Sequence, residues 1–180
     1  MAPRKSTSTL SSQQFPLEFQ ADDDAWYAIR LLLHGKTLII KYERFSADYD
    51  DFFKAAEFMN LDDVESFGWR FRKVSLQLQD NECIKFVGCM TICASHAFAE
   101  DDLCFYDAIV EKVYMKSLYN IKSTNFESGE EKCLCNFILN WQHGPNVGNL
   151  TSATVGHICL IQHSTGIDPK VASFQIKGQN

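Results

Sequence analysis

Two sets of residues in this chain have the types to do chemistry at a shared point: four aromatics beside turns, and a group of cysteines. Tyr27, Tyr42, Phe45 and Phe105 all fall at strand ends or next to turn residues. Three or four rings around one point enclose a methylated ammonium, by attraction of the cation to the ring faces and burial of its methyl groups. A carboxylate close by favours lower methylation states, which keep an N–H to donate. The plainer alternative is that the rings are core, as most Phe and Tyr are. The segment Leu103–Val110, LCFYDAIV, shows how such a ring is presented. On a strand, Cys104, Tyr106, Ala108 and Val110 face the core, while Phe105, Asp107 and Ile109 face the other way, so a ring and a carboxylate share one side.

The cysteines offer a second chemistry. Cys133 and Cys135 are one residue apart on an expected strand, so both thiols face the same side. A bend there brings both to one zinc ion, with Zn–S distances near ~2.3 Å. Cys83 and Cys93 lie on a neighbouring expected strand as sources of a third ligand, and His96 and His143 are the nearest imidazoles in sequence. Buried free thiols packing as small apolar groups are the alternative. No Walker loop, GxGxxG, GxSxG or HExxH occurs, and nothing positions a Cys-His nucleophile, so an enzyme is not expected.

Composition narrows the class. The chain has 180 residues, 46% of them hydrophobic, enough for one ordinary domain or two small ones packed together. Fourteen Phe, six Tyr and three Trp suit small β-barrels or ligand cages. A net charge of -6 argues against direct nucleic-acid binding and suits a basic partner. No apolar run is long enough to span a bilayer, and no signal-peptide core is seen, so the seven cysteines are expected as reduced thiols or metal ligands inside the cell, with no membrane partner.

The elements that must position these residues follow from hydrophobic period and turn chemistry. Residues 1–14 are polar, Ser/Thr-rich and mildly basic, and are expected to be a disordered tail. Order begins near Phe15. Residues 25–34 read as helix, with Asp24 as cap and Gly35 as stop, or as strand, and the pattern leaves both open. Residues 37–42, TLIIKY, are a strand. Tyr49, Phe52, Phe53, Ala56 and Met59 recur at helical spacing, so 48–59 are expected as an amphipathic helix with Asp50 and Asp51 in its first turn. Further strands are expected at 69–78, 84–93, 103–114, 133–142 and within 153–162, followed by a loose polar tail over 164–180. The turn at Asp80-Asn81 divides two β-rich halves, 15–79 and 80–163. The fold class expected is mostly β with one or two short helices.

The segments DDAWYAIR, IIKYERF, NECIKF, LCFYDAIV and KCLCNF, in this order and spacing, resemble the plant SAWADEE domain over about residues 15–162. The resemblance implies tandem tudor-like barrels, the second with a possible zinc site. It implies a chromatin reader in the nucleus that binds the histone-3 tail methylated on lysine nine, linked to RNA-directed DNA methylation and gene silencing. Partners of that kind are the histone-3 tail and chromatin-remodeller or RNA polymerase subunits of the silencing pathway. By local motif the family's methyl-lysine cage falls on Tyr27, Tyr42, Phe45 and Phe105, and residues 25–34 become strand. The family's zinc set is three Cys and one His. Cys83, Cys133 and Cys135 match, but Glu127, Ser128 and Gly129 stand where the His belongs, leaving the fourth ligand unknown. Ala28 and Gln20 stand where the family has acids for unmodified lysine four; Asp22, Asp23 and Asp24 are the substitutes at hand, with Asp107 as a further supporting acid. The rival reading is an interaction scaffold of the silencing machinery whose cage has decayed: a cage brings the rings to one open pocket, a scaffold leaves them dispersed. Finally, Arg4-Lys5-Ser6-Thr7 repeats the order Arg-Lys-Ser-Thr found around lysine nine of histone 3. Four residues in a basic, Ser-rich tail match easily by chance; the functional alternative is that Lys5 enters the cage.

Overall fold

The computed structural model describes residues 16–86, 88–99, 102–115, 133–162 and 168–178. The tail over 1–14 and residues Glu127, Ser128 and Gly129 lie outside them. Among the described residues ten strands form one antiparallel sheet, joined by two α-helices and short 3-10 turns. The strands are β1 (Leu17–Gln20), β2 (Trp26–His34), β3 (Thr37–Tyr42), β4 (Asp51–Lys54), β5 (Phe71–Gln77), β6 (Thr91–Ala99), β7 (Asp102–Tyr114), β8 (Asn136–Trp141), β9 (Leu150–Thr154) and β10 (Ile158–Gln162). The helices are α1 (Leu61–Trp69) and α2 (Pro169–Gly178). The order across the sheet is β4-β3-β2-β1-β5-β10-β6-β7-β8-β9. The strands up to β5 thus form one block and β6 to β10 another, and the blocks meet where β5 pairs with β10.

Residues 26–34 are strand, as the resemblance implies. Their β-branched and aromatic company pairs with β1 on one side and β3 on the other. Gly35 turns the β2–β3 hairpin at φ +61, a conformation that costs glycine nothing. β7 faces as its alternation predicts: Cys104, Tyr106, Ala108 and Val110 are buried in a core shared with Phe137, Leu139, Trp141 and Ile158. The first block has its own core, in which Phe19 stacks with Phe53, Phe67 and Phe71.

Four expectations are corrected. Residues 48–59 are not a helix: a 3-10 turn (Ala47–Tyr49) leads into β4 and a second 3-10 turn (Ala55–Glu57). β4 is an edge strand on β3, with Leu38 opposite Phe53 and Ile40 opposite Asp51. Only alternate residues of β4 then turn inward, which leaves Phe52 59% exposed, and Met59, past the second turn, is 91% exposed. Edge pairing wins because β3 offers an open row of backbone groups. The helix instead begins after Asn60, whose side-chain carbonyl accepts from the Asp63 N–H at 2.9 Å, and buries Val64 and Phe67. The strand expected at 84–93 starts only at Thr91, because the turn expected at Asp80-Asn81 runs on as a 3-10 turn over Asp80–Lys85, held where the Glu82 carboxylate accepts from the Gln79 N–H at 3.1 Å. The single strand expected within 153–162 is two, β9 and β10, separated by the turn Val155–His157. The tail beyond 164 is not loose throughout: 169–178 form α2.

The polarity of α2 hides a narrow apolar stripe. Val171 and Phe174 are fully buried against the first block, with Phe174 edge-on to Phe58 at 5.4 Å and 5.8 Å from Phe67. Lys170 Nζ donates to the Leu31 carbonyl at 2.7 Å, and Gln175 donates to the Val64 carbonyl at 3.0 Å. Phe174→Ala removes a ring at 1% exposure. It is expected to lower the unfolding free energy by about 3–5 kcal/mol, read as a lower midpoint in a urea melt.

Candidate functional site

Three of the four expected cage rings come together. Tyr27 and Tyr42 lie with centroids 5.6 Å apart at 87°, Tyr27 and Phe45 5.6 Å apart at 83°, and Tyr42 and Phe45 6.1 Å apart at 76°. Local structure explains the convergence. Tyr42 pairs across the ladder with Ile29, so its ring lies diagonal to Tyr27, two residues away on β2. The turn after β3 is closed by the Phe45 N–H donating to the Tyr42 carbonyl at 3.3 Å, which puts residues three apart side by side. Tyr27 and Tyr42 are half-buried and Phe45 is 48% exposed, so the rings meet at a surface rather than within the core.

Each phenol is held by a carboxylate. Tyr27 Oη donates to Asp23 Oδ2 at 2.7 Å, and the other Asp23 oxygen accepts from the Ala25 N–H at 3.0 Å. Tyr42 Oη donates to Asp51 Oδ2 at 2.6 Å. Burial, and then donation to these acids, raises both phenol pKa values well above the ordinary tyrosine range. Both therefore stay neutral. A phenol that donates to a carboxylate is polarised toward a more electron-rich ring, which favours a cation over its face.

Phe105 is a correction. It packs against Trp26, Cys93 and Cys159, on the side of β7 opposite Cys104. Tyr27 Oη lies 3.8 Å from Cys104 Sγ, so the ring cluster approaches β7 on the face away from Phe105. Alternation gives the two faces of β7, and which of them turns toward β2 is a tertiary fact. Asp107 is also corrected: it is buried and paired with Arg72 Nη1 at 2.9 Å, and its carboxyl is raised by burial against the opposing pull of Arg72. Of the three consecutive acids only Asp23 hydrogen-bonds one of these rings. Asp22 pairs with Arg70 at 2.7 Å, and Asp24 is exposed at φ +66. Asp51 and Tyr49 were missed. The helical spacing expected over 48–59 puts Asp51 in a first turn, and it puts Tyr49, which is 64% exposed and 5.6 Å from Phe45, on a core face. The alternation of Asp51 and Phe53 against Phe52 and Lys54 was the available signal.

The cysteines also converge. The Sγ atoms of Cys83, Cys133 and Cys135 all lie within 4.8 Å of one another. Cys83 comes from the 3-10 turn before β6, and the other two from the segment entering β8. The Cys135 N–H donates to Cys133 Sγ at 3.4 Å, and the Cys133 N–H to Asp80 Oδ1 at 3.1 Å. Burial raises the Cys83 thiol, and burial with the two neighbouring thiols pushes Cys135 up to about 12. Three thiols this close fit a soft cation, since tetrahedral zinc sets its sulfurs roughly 3.8 Å apart at Zn–S near ~2.3 Å. The cluster can hold a metal ion. Cys93 is not part of it but lies buried with Trp26 and Cys159, and burial raises its thiol. His96 packs on Trp141 and near the Asn146 amide, and neither it nor His143 joins the cysteines.

Fold and site together define a mostly antiparallel β module with three aromatic rings meeting at its surface and a separate cysteine group. The family model for the SAWADEE domain matches residues 13–159, and the chain belongs to that family. Among solved structures it is similar to a selenomethionine-substituted mutant of the Arabidopsis thaliana SHH1 SAWADEE domain, with a TM-score of 0.57 at 16% identity, covering 84% of this chain and all of that one. It is equally similar to the SHH1 SAWADEE domain in complex with an H3K9me3 peptide, with a TM-score of 0.57 at 15% identity and the same coverage. A search of curated proteins gives no match.

The two held phenols make a spectroscopic prediction. Of the six tyrosines, Tyr27 and Tyr42 are expected to resist ionisation at pH 11, so an absorbance titration at 295 nm reads fewer phenolates in the folded chain than in urea. The sign for stability follows. Unfolded phenols lose protons near pH ~10 while these two keep theirs, so stability falls as pH rises above ~10. Tyr42→Phe removes part of that fall.

Proposed function

We propose that this chain reads methylated lysine on a histone-3 tail, with Tyr27, Tyr42 and Phe45 as the cage. The observation that carries the reading is the mutual edge-on packing of those rings at the surface, each tyrosine held by its own carboxylate. Family membership and the likeness to a domain bound to an H3K9me3 peptide support it. A decayed cage would have its rings dispersed, so the scaffold reading loses its main ground. Asp23 and Asp51 are positioning residues: they fix the ring planes and keep the pocket acidic. Phe105 belongs to the packing between β2 and β7, not to the cage.

Around this activity the wider reading is a nuclear protein of the gene-silencing pathway of RNA-directed DNA methylation, with remodeller or polymerase subunits as partners. The two strand blocks are read as tudor-like subdomains over 15–79 and 80–163, and the second holds zinc on Cys83, Cys133 and Cys135. Zinc supplies a charge that stabilises the thiolates and fastens the turn before β6 to the start of β8.

Calorimetric titration with histone-3 peptides tests the cage. The peptide trimethylated on lysine nine is expected to bind at least tenfold more tightly than the unmodified one. Tyr42→Ala is expected to cost about 0.5–2 kcal/mol of that affinity, while Phe105→Ala leaves the preference for methylation in place. Equal binding of both peptides by the unmutated chain would refute the reading. For the metal, elemental analysis is expected to give one zinc per chain. Cys135→Ser should lose it, and a chelator should lower the Tm of the unmutated chain.

A further inference from the structure

We propose that the chain carries its own cage ligand: Lys5, once trimethylated, enters the pocket of Tyr27, Tyr42 and Phe45 within the same molecule and competes with the histone tail. The inference rests on the methyl-lysine reading above. Three observations carry it.

The first is chemical identity. Lys5 stands in Arg4-Lys5-Ser6-Thr7, the same four residues in the same order as around lysine nine of histone 3. A pocket that accepts one methylated lysine in that setting has no local means of refusing the other. The second is reach. β1 begins at Leu17, and Phe19 on β1 pairs with Tyr27 of the cage. Pro16, whose carbonyl accepts from the Val74 N–H at 3.1 Å, is therefore fixed three residues from the position opposite a cage ring. That is roughly 10 Å along the strand and about 5 Å across. Eleven residues link Lys5 to Pro16, and extended they span up to roughly 36–40 Å. The tether exceeds the distance several-fold, and a linked ligand of this kind acts at an effective concentration that reaches millimolar. The third is charge. Residues 1–17 carry Arg4 and Lys5 and no acid, while the pocket is bordered by Asp23 and Asp51, with Asp22 and Asp24 exposed beside it.

The modification needs a lysine methyltransferase with a methyl-sulfonium donor. In each round the Lys5 ammonium gives up a proton, and the amine lone pair attacks the methyl carbon. The N–C bond forms as the S–C bond breaks, leaving its electron pair on sulfur as a thioether. Three rounds give a quaternary ammonium that keeps one positive charge. Only a differential affinity of the cage for the methylated form makes the segment a regulator. In that case histone binding weakens when Lys5 is methylated and recovers when it is not.

The experiment has two arms, both on the full chain. In the first, Lys5→Arg protein is titrated with three peptides: residues 1–14 trimethylated on Lys5, the same residues unmodified, and histone 3 trimethylated on lysine nine. The Lys5-trimethyl peptide is expected to bind within tenfold of the histone peptide and at least tenfold more tightly than its unmodified form, and Tyr42→Ala should weaken the binding of both methylated peptides by a similar factor. Histone binding without any preference for the Lys5-trimethyl peptide overturns this proposal and leaves the reader function standing. Binding of neither methylated peptide overturns both. In the second arm, full chain carrying trimethyl-lysine at position 5, made by peptide ligation, is expected to bind the histone peptide at least tenfold more weakly than unmodified chain. Unchanged affinity overturns the intramolecular contact.

Discussion

Arg72 is the group on which the rest of the structure depends. Its side chain is only 12% exposed, on β5, between Glu18 of β1 and Asp107 of β7, and its guanidinium lies 3.5 Å over the Trp26 ring of β2. Glu18 also accepts from the Ser75 N–H and hydroxyl, at 3.0 and 2.8 Å. One cation thus ties three strands of the first block to the central strand of the second. A buried charge left without its partners is strongly destabilising, so the sheet is specified in the arrangement that keeps all of them. That arrangement turns Trp26 toward β7 and Phe105 and leaves the next residue, Tyr27, free to meet Tyr42 and Phe45. The ring cluster is built on a rigid frame at one flank, and only its Phe45 side belongs to a turn.

The separation of the two chemical groups follows from the same frame. The aromatic pocket draws on β2, the end of β3 and the acids on either side, while the cysteines lie in the second block, between the turn before β6 and the start of β8. Nothing in the ring geometry needs a metal, and nothing in the cysteine geometry needs the rings. The cysteine cluster brings together segments about fifty residues apart in sequence, all within its own block.

Much of this was legible in the sequence where a local rule and the tertiary outcome agreed. The alternation of β7 stands, 26–34 are strand as the resemblance implies, and the structure brings Tyr27, Tyr42 and Phe45 together. The same holds for the three cysteines, where Cys83 rather than Cys93 joins the pair. The failures share a cause. Residues 48–59 have a helical period that an open strand edge overrides, and that misreading hid Asp51 and Tyr49. The local sequence leaves Asp107 available, since nothing in it says that Arg72, thirty-five residues earlier, claims it. Phe105 sits on the right strand facing the wrong way. Strand alternation gives two faces, and only packing decides which of them meets the pocket. α2 looked loose because just two of its side chains, Val171 and Phe174, make the apolar stripe.

The central claim, that Tyr27, Tyr42 and Phe45 enclose a methylated ammonium, is tested most directly by proton NMR of the N-methyl resonance of a trimethyl-lysine histone peptide bound to the chain. Enclosure by three rings predicts a marked upfield ring-current shift of that resonance, with cross-relaxation to ring protons of Tyr27, Tyr42 and Phe45. A methyl resonance that keeps its free position, or that relaxes to Phe105 instead, would contradict the account.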